Sequence, residues 1–218
     1  ITAGDGVLQF YTTEFADTIV GSNIREDFNL QLGSDTLDGG GGRDRVRYDR
    51  HSVDEVNVDL VSGVATGNVN GTSFTHQMTN IEDVRGSNDG DDTLKGNGKA
   101  NKIEGKGGND ELFGRGGKDE LFDGSGDDTV SGGNGNDTLH NGGGSDIFDG
   151  GKGVDTFVSG VSTTTGDFPI GFNMKTGFHG DLSSTNGNDT IRNIENYTST
   201  GEYNIKVTGD NKRNVVNT

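Results

Sequence analysis

Across residues 87–158 a carboxylate, or once its amide, returns every nine residues: Asp92, Asn101, Asp110, Asp119, Asp128, Asp137, Asp146 and Asp155. Two places after each stands a large apolar residue: Leu94, Ile103, Leu112, Leu121, Val130, Leu139, Phe148 and Phe157. Glycine crowds the stretch before each acid, as in "GGNGNDTLH" from Gly132 to His140. The eight units follow one another without a gap. A looser run of four units covers residues 12–47, with acids at Asp17, Glu26, Asp35 and Asp44. The chain has no cysteine and only four scattered histidines, so its donor atoms are oxygens. Carboxylates and backbone carbonyls suit a hard cation, and calcium above magnesium. Calcium accepts flexible geometry, whereas magnesium demands a tight octahedron and keeps its water.

Something must bring these acids together. The apolar residue and its neighbours form a strand too short to stand alone, and the six residues before it form a glycine-rich turn. Two turns and two strands make an 18-residue coil. Stacked coils pair in parallel at about 4.8 Å, which sets residues 18 apart above one another. One apolar ladder is then Leu94, Leu112, Val130 and Phe148, and the opposite one is Ile103, Leu121, Leu139 and Phe157. Asp92, Asp110, Asp128 and Asp146 fall in one column, with Asn101, Asp119, Asp137 and Asp155 in the other. Bare like charges at about 5 Å repel strongly, and a cation between successive turns removes the repulsion. The expected fold is all-β, with parallel β-roll (solenoid) blocks joined by β-rich linker and capping segments.

A longer period is superimposed on the short one. Asn80 to Ile103, "NIEDVRGSNDGDDTLKGNGKANKI", matches Asn193 to Val216, "NIENYTSTGEYNIKVTGDNKRNVV", at an offset of 113 residues. The organisation is a short array (1–47), a linker (48–86), a long array (87–158), a second linker (159–199) and the start of a degenerate further array (200–218). It reads as a piece of a longer repetitive protein. In the first linker "EVNVDLVSG" alternates Val56, Val58 and Leu60 as a strand does, with Phe74, Met78, Ile81 and Val84 to pack beneath it. "IGFNMKTGF", Ile191 and Ile194 are the counterparts in the second.

Composition bounds the partners. With 35 acidic and 18 basic side chains the formal charge is −17, which repels nucleic acid and anionic membranes and attracts cations. Only 27% of residues are hydrophobic and 40 are glycine, so the chain needs stability from outside its own core. Disulfides are excluded as that source. No apolar run reaches a membrane span, and "ITAGDGVLQF" is not a signal peptide.

The nine-residue frame resembles the G-G-x-G-x-D-x-U-x nonapeptide of the RTX (repeats-in-toxin) family. The resemblance covers all twelve units. It implies a parallel β-roll with calcium between turns on the same side, and export by a bacterial type I system. Carried onto this chain, it implies ligands at Asp17, Asp35, Asp44, Asp92, Asp110, Asp119, Asp128, Asp137, Asp146 and Asp155. The turn glycines Gly108, Gly117, Gly126, Gly135 and Gly144 would offer carbonyl oxygens or shape the loops. Asn101 and Glu26 weaken their sites, Lys99 stands where glycine is usual, and Ile205 replaces the acid in the third array. Neighbouring acids pair into about five strong sites in the long array.

Other chemistry-bearing residues receive structural readings. Arg43, Arg45, Arg47 and Arg50 around Tyr48 suit an acidic polysaccharide, but salt bridging to neighbouring acids is favoured. His51, His76, His140 and His179 read as surface residues with no positioned nucleophile, so no enzyme is expected. Asp189, in "NGNDTI", imitates a unit but has no partner one coil away and reads as a turn residue. The expected function is a secreted calcium-binding segment that folds on binding and serves as a structural or adhesive rod. Its partners are then neighbouring copies of itself or a surface polysaccharide. The alternative is an accessory module of a secreted enzyme, or of a pore-forming toxin.

Overall fold

The computed structural model describes residues 2–4, 7–159, 170–173, 178–181, 188–199, 205–208 and 215–217, with side chains placed in 7–159 and 189–198. Every regular element among them is a strand, and the strands form two sheets of eleven and thirteen members. No helix among the described residues is long and apolar enough to cross a membrane.

The 18-residue coil is the unit of the long array. In the thirteen-stranded sheet Leu94 pairs with Leu112, Leu112 with Val130, and Val130 with Phe148, all in parallel. In the eleven-stranded sheet Ile103 pairs with Leu121, Leu121 with Leu139, and Leu139 with Phe157. These eight side chains are at most 1% exposed. Each strand contributes one inward residue per unit, because neighbours on a strand point to opposite faces. The core is therefore one side chain deep from each sheet. At about 1.5–3 kcal/mol per buried aliphatic or Phe side chain, it provides the main apolar stabilisation of each coil.

The linkers are woven into the same sheets. Glu55–Asp59, Val64–Val69 and Thr72–Thr79 form an antiparallel meander inserted between Thr36–Asp38 of the short array and Thr93–Lys95 of the long one. Val56, Val58, Phe74, Met78, Ile81 and Val84 are buried, as their spacing predicts. The meander's last strand lies against the preceding coil and its first strand against the following one. The second linker repeats this arrangement: Asn188–Arg192 joins Ile147–Lys152, and Ile170–Asn173 joins Ile205–Thr208, with Phe178–Asp181 between. The 113-residue offset is thus an offset of topology as well as of sequence. Ile191 and Ile194 are buried, while residues 174–177 of "IGFNMKTGF" and the side chain of Ile205 lie outside the described residues.

Three of the four arginines of the patch, Arg43, Arg45 and Arg47, form ion pairs at the outer face of the eleven-stranded sheet. Arg43 forks onto Asp83 at 2.9–3.1 Å. Arg45 meets Asp27 at 2.6 Å, and Arg47 bridges Asp27 at 3.2 Å and Asp49 at 2.8 Å. Arg85 pairs with Asp49 and Glu104. Cross-strand pairs of opposite charge stabilise such a face modestly.

Candidate metal centres

The place-six acids occupy two columns, one at the turns entering each sheet. Their backbone amides and carboxylates interlock. Asp92, Asp110 and Asp128 donate their N–H to Oδ1 of Asp110, Asp128 and Asp146 at 2.7–2.8 Å. On the other side Asn101, Asp119 and Asp137 donate to Oδ1 of Asp119, Asp137 and Asp155 at 2.8–2.9 Å. In the short array Asp17 donates to Asp35 and Glu26 to Asp44. Each aspartate of the columns from Asp35 onward therefore uses one carboxylate oxygen to hold the coil before it.

The second oxygen divides these residues into two groups. In Asp35, Asp44, Asp110, Asp119, Asp128, Asp137, Asp146 and Asp155, Oδ2 is buried without a hydrogen-bond partner, and so is Oε2 of Glu26. All nine residues are at most 1% exposed. An unpaired buried carboxylate oxygen is costly. In the remaining members the protein itself supplies donors. Asp92 Oδ2 accepts from the Ser87 amide at 2.6 Å and from its hydroxyl at 3.2 Å. Asp17 Oδ2 accepts from the Thr13 amide and hydroxyl. Asn101 accepts from the Asn97 amide through Oδ1 and donates through Nδ2 to the Glu82 carbonyl at 2.6 Å.

Beside the open oxygens lies glycine, five residues earlier in the chain. A methyl carbon built on Gly132 would stand 2.6 Å from Asp137 Oδ2 and 2.7 Å from the Gly150 carbonyl of the next coil. Gly105 and Gly114 make the same cradle with Asp110 and Asp119, and Gly150 with Asp155. A carboxylate oxygen and a carbonyl oxygen converge there, and any larger residue would fill the space. Such a donor set, all oxygen and without nitrogen or sulfur, fits calcium. The place-four glycines Gly108, Gly117, Gly126, Gly135 and Gly144 have φ of 105–148° and stack on the carbonyls of the preceding coil, so they shape the loops.

Burial raises the pKa values of column acids, the hydrogen-bonded Asp92 (to about 6) included. Desolvation pushes Asp110 up to about 8, Asp119, Asp146 and Asp44 to about 7, and Asp128 and Asp155 to about 6. Neighbouring carboxylates in the column add to the rise at Asp110 and Asp146. These groups resist ionising until a cation replaces their lost water.

Several column members lie outside the nine-residue frame. The Asp146 amide donates to Asp189 at 3.0 Å, so Asp189 does have a partner one coil away, contrary to expectation. The intervening linker had hidden the pairing. Asn141 donates to the other Asp189 oxygen at 2.9 Å, which ends the column on protein donors. Glu195 accepts from the Asp155 amide and Glu82 from the Asp44 amide. These two glutamates are equivalents across the 113-residue offset, a signal present in the shared "NIE". His76 is fully buried rather than on the surface. Its Nδ1 accepts the Asp35 amide at 3.3 Å, in the place a carboxylate takes elsewhere, and burial lowers its pKa to about 4. His140 is partly buried, stacked on Phe122 with centroids 4.0 Å apart, and His179 has no described side chain.

No curated protein shows a significant match to the chain. A family model, the RTX calcium-binding nonapeptide repeat, matches in four copies over residues 31–50, 87–121 and 122–157. Those residues carry most of the open carboxylate oxygens and all the cradles of the long array. In these segments the chain is similar to the RTX calcium-binding nonapeptide-repeat family, the family that the nine-residue frame resembles.

Proposed function

We propose that this calcium-binding repeat chain completes its fold only when calcium fills the two columns, and that the filled solenoid serves outside the cell as a structural or adhesive rod. The carrying observation is the set of nine buried acids with one oxygen left open; in the eight aspartates the other oxygen is held by the neighbouring coil, and in Glu26 by Ser22 of its own turn. Ligands are drawn from Asp35, Asp44, Asp110, Asp119, Asp128, Asp137, Asp146 and Asp155 and from the carbonyls in the glycine cradles. Asp17, Asp92 and Asn101 stay structural, because protein donors already satisfy them.

A chain of charge −17 without ions is expanded by its own repulsion. That state suits export through a narrow channel of the type I kind, from a cytosol poor in free calcium. Outside, calcium binds the folded form and stabilises it by mass action, about 2.7 kcal/mol for each site at a hundredfold excess over Kd. The rod role is supported by the sheets, which run through both arrays and both linkers without a break. Small-angle scattering of the 218-residue chain tests the reading. The expected result is an expanded coil in chelator that collapses to an elongated particle in millimolar calcium. An elongated, folded particle in chelator, unchanged by calcium, would overturn it.

A further inference from the structure

Three units of the long array have no glycine at their first place, which holds Ser87, Asp123 and Asn141, and one of the three brings an acid. That acid, Asp123, stands where other units have Gly105, Gly114, Gly132 or Gly150. The Asp123 side chain is 1% exposed. Its Oδ1 accepts the amides of Gly124 at 2.5 Å and Gly142 at 2.8 Å, which fixes the carboxylate against two successive coils. Its Oδ2 has no partner, and neither do Oδ2 of Asp128 and Asp146. Ligand oxygens of Asp123, Asp128 and Asp146 all lie within 4.8 Å of one another. Among the described residues, no other three acidic or imidazole side chains bring ligand atoms so close. One coil on, the same place holds Asn141, whose Oδ1 is also buried and unpartnered.

We infer that Asp123, Asp128 and Asp146 form a cation site distinct from the others, which takes the first calcium ion. The other cradles offer carboxylates from place six only, with neutral carbonyls between them. Here a third carboxylate enters from place one, and the affinity of an oxygen site rises with its ligand charge. Three desolvated carboxylates with oxygens within 4.8 Å of one another also gain most from a divalent ion. The site bridges the fifth and seventh of eight units, so the first ion joins coils with neighbours on both sides. The inference rests on the calcium reading above.

Calcium titration of the full chain in competition with a chromophoric chelator resolves the binding classes. The wild type should show one ion held at least tenfold tighter than the rest. Asp123→Gly, which restores the frame residue, should lose that class and keep the weaker ones. Asp123→Asn keeps an oxygen for the two glycine amides but removes the charge, and it should behave likewise. Retention of the tight class in both variants would overturn the inference, and so would a gain of one ion in Asp123→Gly, which would make the carboxylate a plug. A wild type that binds no calcium would instead overturn the calcium reading itself.

Discussion

Asp137 and Asn101 differ by one atom and take opposite parts. Asp137 leaves Oδ2 open beside a carbonyl, whereas Asn101 closes the same gap by donating to Glu82. Asn101→Asp should therefore open one more site: native mass spectrometry in calcium should count one ion more than in the wild type. An unchanged count would mean that the Glu82 carbonyl is no ligand. For the same reason Asp128→Ala should lower the calcium-loaded melting temperature far more than Asp17→Ala, since Asp17 sits at a partly exposed turn capped by Thr13. The ion-free chain should also respond to pH. Unfolded carboxyls titrate near 4, while Asp110, Asp119, Asp146 and Asp128 titrate at about 8, 7, 7 and 6 when folded. Between these limits the folded form binds more protons, so its stability is greatest below about pH 4 and falls as pH rises toward 8. Circular dichroism in chelator should show β-structure fading over that range, and a rise would contradict the burial argument. At residue scale the ligand type was legible because acid and spacing recur. The division into open and closed acids was not, since it depends on Ser87, Thr13 and Glu82 meeting them in space.

The strand is where the apolar ladder acts. Leu121 stands between Ile103 and Leu139 and is fully buried. Leu121→Ala should cost about 2–5 kcal/mol in the calcium-loaded state, read from denaturant unfolding. A loss below 1 kcal/mol would mean that ions alone hold the coils. The turns offer a converse test. Lys106 holds φ of 97° at a place where Gly124, Gly133 and Gly151 share positive φ, and its side chain is exposed. Lys106→Gly should stabilise the loaded protein by about 1 kcal/mol, through relief of backbone strain. Arg115, at the same place with φ of 73°, should not gain from this exchange, because it forks onto Asp59 at 2.7–2.8 Å. Both ladders could be read from a period of eighteen, since parallel stacking turns sequence distance directly into register. The linker strands could be read from alternation, but their partners could not. A meander pairs segments by hairpin turns and end contacts, and nothing in the apolar pattern says that Met78 lies on Leu37 while Val58 lies on Leu94.

Over the whole molecule, two sheets close a thin core between columns of acids. Eleven strands at about 4.8 Å give a stack roughly 50 Å long. With 27% hydrophobic residues the core is slight for that length, and ten open carboxylate oxygens, Asp123 included, work against it until they are neutralised. On the function proposed above, folding and ion binding are one event, with a steep dependence on calcium because each ion would join two coils. Far-UV circular dichroism of the 218-residue chain at pH 7.5, first in excess chelator and then across a calcium titration, tests this most directly. The expected result is a mostly disordered spectrum that converts to β-structure in one cooperative step. A full β spectrum in chelator, unmoved by calcium, would contradict it.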